Sequence, residues 1–295
     1  MEEDASTSGN SNISPQLVNE WIEIQDSLKK RLITDDEFDW KLPPMKDQDS
    51  EGMEENQDSN VEILKYVGGV DLSFSRNDSL IACATLVVLD ISTLEVVHED
   101  SSIIKLRIPY VPGFLAFREA PVLLELLKKM ETTSPTLYPQ VLMVDGNGLL
   151  HPRAPFLWIS LLCHYWSLLK SLERSAGFGL ACHLGVLADL PTIGIGKNLH
   201  QVDGLTQSRV RQVLEANGKP RSDIFPLIGD SGSTLGAAMW TTKSSLKPIF
   251  ISVGHRVSLP SAIKIVKLFG RFRVPEPIRQ ADIRSKDFFR KHGLS

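Results

Sequence analysis

The chain has 295 residues, a hydrophobic fraction of 42% and a formal net charge of −4, and it can build one large domain or two small ones. Its longest apolar run, residues 156–169, is interrupted by polar side chains and is shorter than the roughly 18 residues that a membrane helix needs. The first ten residues include three acidic ones and no hydrophobic segment, so we expect neither a membrane protein nor a secretory signal.

The cysteines at positions 83, 163 and 182 indicate the compartment. An odd number cannot all pair with one another, and each lies among apolar neighbours. Reduced cysteines are typical of intracellular proteins, so we expect the chain in the cytoplasm, the nucleus or both.

Charge is unevenly distributed along the chain. Residues 1–60 carry 16 acidic and 5 basic side chains, whereas residues 61–295 carry 20 acidic and 27 basic ones. Residues 243–295 hold 12 Lys or Arg against 3 Asp or Glu, a concentration that attracts phosphate backbones. A solvated surface with cations at helix ends would give the same count, so charge alone leaves both interpretations open.

The first sixty residues combine one helix with two polar segments. Apolar residues recur near helical spacing over residues 15–33, which predicts a helix that docks on the main domain. Residues 1–14 and 41–60 are polar, largely acidic and have little to bury, so we expect a disordered tail before the helix and a disordered linker after it.

The remaining residues predict a mixed sheet flanked by helices. Three segments rich in Val, Ile and Thr come first, and a helix with Pro121 in its first turn and a short apolar strand follow them. Helices and strands then alternate, which is typical of an α/β domain with one central sheet. The predicted strands are 66–75, 80–90, 94–106, 141–144, 192–195, 225–228, 237–241 and 249–253, and the predicted helices are 119–130, 156–175, 206–216 and 259–269.

Three carboxylates are candidate site residues because of their positions in the predicted strands and helix. Asp71 lies inside a strand, on the face opposite Val70 and Leu72, where a carboxylate needs a cation or a metal. Asp145 ends the apolar strand before Gly-Asn-Gly, at the kind of strand end where sites gather in open sheets. Glu119 lies at the predicted helix start, where the helix dipole favours a carboxylate. A turn-forming role for Asp145 and a purely dipolar role for Glu119 stay open.

An oxygen-donor set of this kind favours Mg²⁺, with Mn²⁺ as a substitute, over zinc. The pairs Cys163-His164 and Cys182-His183 lack the intervals that tetrahedral zinc sites use. Gly196-Lys197 does not open a P-loop, because Pro191 and Asn198 replace the glycine and the hydroxyl residue that the loop requires.

Five motifs in order resemble the endonuclease V family. They are residues 69–74 (GVDLSF), 109–119 (PYVPGFLAFRE), 144–153 (VDGNGLLHPR), the stretch from 181–185 (ACHLG) to 196–197 (GK), and 252–256 (SVGHR). The helix around Trp21 and Gln25 also looks like the family's first helix, whereas the acidic linker after it departs from the pattern. Residues 273–282 (RVPEPIRQAD) resemble the eukaryotic branch.

The resemblance implies a ribonuclease H-like catalytic domain over residues 61–280, followed by a basic tail over 281–295. It implies that Asp71, Glu119 and Asp145 hold the metal and that His255 is a fourth member of this site. Lys197 and His151 match positions that would orient water or neutralise phosphate. An ordinary structural histidine at position 255 stays open as an alternative.

The resemblance also implies a way of reading the base, because a base inside a stack must be extruded before it can be inspected. Tyr110 resembles the family's wedge, which fills the space that the extruded base leaves. The implied base pocket consists of main-chain groups at Gly113, Leu115, Gly146 and Gly148. Packing in the core is the alternative for Tyr110.

By the same resemblance, the chain is expected to cut inosine-containing single-stranded RNA, and DNA as a further substrate, one nucleotide 3′ to the inosine, as a monomer. The products are a 5′-phosphate and a 3′-hydroxyl. Two alternatives stay open: an inosine-RNA binding protein that does not cut, and another nuclease on the same fold.

Overall fold

The computed structural model describes residues 14–44, 61–111, 113–152, 177–216 and 224–294. The predicted disordered segments 1–14 and 41–60 and the predicted helix 156–175 lie wholly or mostly outside these ranges. In the described part of the chain, no helix is both long and apolar enough to cross a membrane.

The described elements are ten strands and six helices, with a single 3₁₀ turn at Pro135–Leu137. The strands are β1 (Trp40–Lys41), β2 (Glu62–Ile63), β3 (Tyr66–Phe74), β4 (Ile81–Asp90), β5 (Val96–Lys105), β6 (Val141–Asp145), β7 (Thr192–Gly196), β8 (Ile224–Ile228), β9 (Thr234–Met239) and β10 (Ile249–His255). The helices are α1 (Pro15–Lys29), α2 (Leu115–Thr133), α3 (Leu180–Ala188), α4 (Gln207–Ala216), α5 (Leu259–Leu268) and α6 (Glu276–Lys291).

One eight-stranded sheet forms the centre of the domain, in the order β5-β4-β3-β6-β7-β10-β9-β8. Strands β3, β4 and β5 form an antiparallel meander, while β6 pairs with β3 and β7 pairs with β6 in parallel. Strand β10 then returns antiparallel to β7. The predicted mixed sheet flanked by helices is therefore confirmed.

Helices cover both faces of the sheet. Helices α2 and α3 pack on the face that carries Val70 and Val144, and α5 and α6 pack on the face that carries Val67 and Met143. Alternation along β3 assigns its side chains to these two faces. Asp71 consequently points toward the layer formed by α5 and α6.

Helix α6 corrects the predicted domain boundary. Residues 281–291 are not a separate basic tail, because the boundary at 280/281 falls inside α6. Ile278 and Ala281 are fully buried against the sheet, and Ser285 is fully buried as well. This apolar face packs on the domain and leaves the cations on the opposite side of the helix.

Helix α2 begins earlier than predicted, at Leu115 instead of Glu119. Glu119 is therefore in the second turn and Pro121 lies inside the helix. The prediction that Glu119 sits at the helix start was wrong, so the helix dipole is not the reason for a carboxylate there.

Candidate active site

Asp71 is a buried carboxylate held by two hydroxyl groups. Its side chain is on β3, and the residue is 6% exposed. The Ser285 hydroxyl of α6 donates to Asp71 Oδ2 at 3.1 Å, and the Ser73 hydroxyl lies 3.2 Å from the same oxygen. Helix α6 can approach so closely because a side chain at Gly69 would lie 2.3 Å from the carbonyl oxygen of Pro277. The missing Cβ thus brings the helix against Asp71.

Asp145 and Lys197 meet at the carboxyl ends of two neighbouring parallel strands. Asp145 ends β6 opposite Ile195 of β7, and Lys197 follows the end of β7. Lys197 Nζ donates to Asp145 Oδ2 at 2.6 Å. The pair places a cation at the strand end where the sequence predicts the site.

The acids of this site interact with one another. Burial raises the pKa of Asp71 to about 7, and the charge of Asp145 and a hydrogen bond with it contribute in the same direction, while Lys197 opposes them. Burial likewise raises the pKa of Glu119 to about 8, and the charges of Asp71 and Asp145 add to this. The geometry therefore brings Asp71, Asp145 and Lys197 together, with Glu119 within electrostatic range.

These carboxylates do not yet form a closed ligand set. Among the described residues, no group of three or more His, Cys, Asp or Glu is arranged to hold a metal ion. Asp71 and Asp145 supply two neighbouring oxygen donors, and Glu119 would have to move its side chain toward them. Acids that repel each other in this way bind a divalent cation readily, because the cation removes the repulsion.

A further acid, Asp282, belongs to the same cluster and was missed from the sequence. Its charge acts on Asp71 and on Lys197. It lies on α6 one turn before Ser285, whose hydroxyl oxygen is also 3.0 Å from the Asp282 carbonyl oxygen. Lys286 Nζ contacts Asp282 at 2.7 Å. An acidic residue in the quoted motif 273–282 was the only available signal.

His255 lies away from the acids, and the prediction that it joins them was wrong. It pairs with Thr192, at the amino end of β7, whereas Lys197 follows the carboxyl end of that strand. The His255 ring is buried, and its Nδ1 accepts a hydrogen bond from Ile33 N–H at 3.2 Å. This histidine anchors the segment after α1 and has a structural role.

His151 packs against a second histidine. Its ring centroid is 5.4 Å from that of His200. Burial and the neighbouring His200 lower the pKa of His151 to about 4, so the imidazole is neutral at pH 7. Its buried Nδ1 has no hydrogen-bond partner in the described part of the chain. A neutral ring cannot neutralise phosphate, which leaves the orientation of water as its predicted role.

The segment around Tyr110 presents one aromatic ring to solvent. Tyr110 is 64% exposed, whereas Val111 and Phe114 beside it are buried at 3% and 1%. Trp21 of α1 stacks on Phe117 of α2 with ring centroids 5.1 Å apart, and it also contacts Phe114. The packing alternative for Tyr110 is therefore wrong, since its neighbours fill the core and its ring does not. Pro112 lies outside the described residues.

The predicted base pocket is supported unevenly. The Gly148 N–H donates to Ser252 Oγ at 2.8 Å, and a side chain at Gly148 would lie 1.9 Å from the carbonyl oxygen of Val253. The Gly146 N–H is also used, by the carbonyl of Ile195 at 3.2 Å. Gly113 and Leu115 flank the start of α2, directly after Tyr110.

Comparison with known proteins was made on sequence and structure. The sequence model of the Endonuclease V family matches residues 48–157 and 173–283, well over half of the chain. Mouse Endonuclease V is 47% identical over 249 residues, which is 83% of this chain and 65% of the mouse protein, so the chain spans just under two thirds of that relative's length.

Two solved structures share the fold. The catalytic domain of human Endonuclease V has a TM-score of 0.78 at 42% identity and covers 96% of this chain and 100% of its own. Endonuclease V of Ciona intestinalis, crystallised with a 24mer DNA containing an inosine followed by a ribo-adenosine, has a TM-score of 0.74 at 30% identity and covers 94% of this chain and 99% of its own. These matches confirm the predicted fold class.

Residues 158–172 lie between the two matched segments. The backbone before and after them is close together at His151 and Gly177, because a side chain at Gly177 would lie 1.8 Å from the carbonyl oxygen of His151.

Proposed function

The chain belongs to the endonuclease V family, and from that premise we propose that it is an inosine-directed endonuclease. Its substrate is single-stranded RNA, with DNA as a further substrate, cut one nucleotide 3′ to the inosine. The observation that carries the proposal is the cluster formed by Asp71, within β3, and by Asp145 and Lys197 at the carboxyl ends of β6 and β7. The enzyme acts as a monomer in the cytoplasm or the nucleus.

The acids fit a hard divalent cation. Asp71 and Asp145 offer only carboxylate oxygens, and Asp71 has a pKa raised to about 7 by burial and by Asp145. We assign Mg²⁺ to this pair, with Glu119 completing the set and Mn²⁺ as a substitute. When bound, the cation makes water a better nucleophile near neutral pH and stabilises charge on the leaving oxygen.

The residues of the chain perform the remaining tasks. In the hydrolysis, a water oxygen bonds to phosphorus and the bond from phosphorus to the 3′ oxygen breaks, which gives a 5′-phosphate and a 3′-hydroxyl. The Nζ of Lys197 donates a hydrogen bond to Asp145. Its charge is maintained because Asp145 and Asp71 outweigh the effect of burial on the Lys197 pKa. The ammonium group contacts Asp145 and balances phosphate charge.

A side-by-side assay tests this function. Matched 5′-labelled RNA and DNA strands, each with a single inosine, are incubated with Mg²⁺ and resolved on a sequencing gel. We expect cleavage of the RNA at the bond one nucleotide beyond the inosine, slower cleavage of the DNA, and none of the adenosine controls. Tight binding without cleavage would instead support an inosine-RNA binding protein, and cleavage independent of inosine would support another kind of nuclease.

Tyr110 is assigned to the space that the extruded base leaves. Its ring is 64% exposed on a segment fixed by buried neighbours, which suits insertion between bases. We expect Tyr110→Ala to weaken binding of an inosine strand by about 10-fold, the value of one lost stacking contact. Fluorescence anisotropy measures it. An equal loss on the adenosine strand would contradict the wedge.

A further inference from the structure

Arg273 ties the connection between α5 and α6 to the active site. Its guanidinium donates to the carbonyl oxygens of Lys197 at 2.9 Å and Pro248 at 3.1 Å, and its Nε donates to that of Lys247 at 3.2 Å. Three main-chain acceptors from two segments fix this side chain. The connection is therefore held beside Lys197, whose ammonium group contacts Asp145.

The preceding residue, Phe272, is exposed. The residue is 49% accessible to solvent, whereas phenylalanine is among the residues most often buried in proteins. The Arg279 guanidinium lies 4.1 Å from its ring centroid. Arg279 is in turn held by two hydrogen bonds to Glu276, at 2.9 and 3.1 Å. Arg279, which Glu276 holds in place, therefore orients the Phe272 ring.

The surface around Phe272 is cationic. Arg271 and Lys247 are exposed. Leu246, in the connection between β9 and β10, is 93% exposed. Residues 242–250 and 268–275 contain no acidic residue. An exposed aromatic ring alone is unremarkable on a protein surface. A pre-oriented ring among cations, anchored to Lys197, is the combination that single-stranded nucleic acid binding uses.

We propose that Phe272 is a stacking platform for a base of the substrate strand a few nucleotides from the inosine, and that Arg271 and Lys247 bind the adjoining phosphates. The proposal rests on the proposed function and extends it from the cut bond to the flanking strand. The occupant is nucleic acid and not a protein partner because Arg271 and Lys247 present positive charge to solvent, whereas the carboxylate of Glu276 is buried and bonded to Arg279.

The experiment uses the full chain carrying Asp145→Asn, so that strands stay intact during titration. Affinities are measured by anisotropy for inosine strands shortened stepwise from the 5′ end and, in a second series, from the 3′ end. We expect Phe272→Ala to weaken binding of the longest strand by about 10-fold. We also expect this difference to vanish once one series has removed the nucleotides that reach the platform.

Matched variants separate stacking from other effects. Phe272→Trp should retain affinity, and Ile228→Ala, which removes a 51% exposed apolar side chain on β8, should leave it unchanged. Phe272→Leu should behave like Phe272→Ala, because leucine keeps apolar area without an aromatic face. Full affinity of Phe272→Leu, an unchanged affinity of Phe272→Ala, or a loss independent of strand length would each overturn the proposal.

Two further readouts complete the test. If Phe272→Ala changes the elution volume of the free protein and not its strand affinity, the surface is a contact between copies and the proposal fails. If the wild-type chain does not distinguish inosine from adenosine but the length-dependent loss persists, the platform stands and the proposed function fails. Arg271→Gln and Lys247→Gln, each expected to lower the salt dependence of binding, give variants that do not alter the ring.

Discussion

Asp145→Asn, and separately Asp71→Asn, should lower the cleavage rate by about 10²–10³-fold or more, the effect of removing one preorganised electrostatic group from an active site. Each substitution keeps the size of the side chain and removes the negative charge of a carboxylate that we assign as a ligand of Mg²⁺. Asp145→Asn also removes the charge that Lys197 contacts at 2.6 Å. Single-turnover cleavage of the inosine RNA strand measures the effect.

Strand affinity should stay within about threefold for both variants, because phosphate and base contacts carry most of the binding. Asp230→Asn is the matched control, since Asp230 is an exposed carboxylate in the turn between β8 and β9, paired with Arg209 at 2.7 Å. It should cleave at the wild-type rate. Cleavage by Asp71→Asn or Asp145→Asn at a rate near that of the control would remove those residues from the mechanism.

The strands that carry these two acids were predictable because burial has a simple signature in β structure. Period-two alternation separates Asp71 from Val70 and Leu72, and an uninterrupted apolar run before Asp145 indicates a strand covered on both faces. These signals are local. They depend on neighbours within a few residues, which the sequence displays directly.

Helix α2 shows where local signals fail. Its N-cap, Phe114, makes no side-chain hydrogen bond, so the start carries no capping signature, and Pro121 suggested a start that is several residues too late. The helix is extended to Leu115 by aromatic packing of Phe114 and Phe117 against Trp21, almost a hundred residues earlier in the chain. Tertiary packing thus overrides the local pattern.

The composition of the acid cluster could be predicted only in part for the same reason. Asp282 approaches Asp71 because α6 packs across β3 at Gly69, a contact between distant parts of the chain. His255 was misplaced because a motif in the correct order does not state which end of a strand it occupies. The register of β10 against β7 decides that, and it puts His255 beside Thr192.

Glu119→Gln should stabilise the metal-free protein at pH 8 while abolishing cleavage. Burial raises the pKa of Glu119 from its ordinary 4.5 to about 8, so the folded state binds a proton that the unfolded state releases. Stability contributed by this group is complete below pH 4.5 and is lost as the pH rises toward 8. Glutamine carries no charge at any pH. We therefore expect a gain of about 2 kcal/mol or more at pH 8 and almost none at pH 4.

Urea denaturation in EDTA at the two pH values measures this difference in the free energy of unfolding. Glu125→Gln is the control, because Glu125 is an exposed glutamate on the same helix, and it should change stability little at either pH. Adding Mg²⁺ should narrow the gap at pH 8, since a cation that binds only the folded wild-type site stabilises it. A gain that is equal at pH 4 and pH 8 would mean that Glu119 is not held protonated in the folded chain, and its place beside Asp71 and Asp145 would then need another explanation.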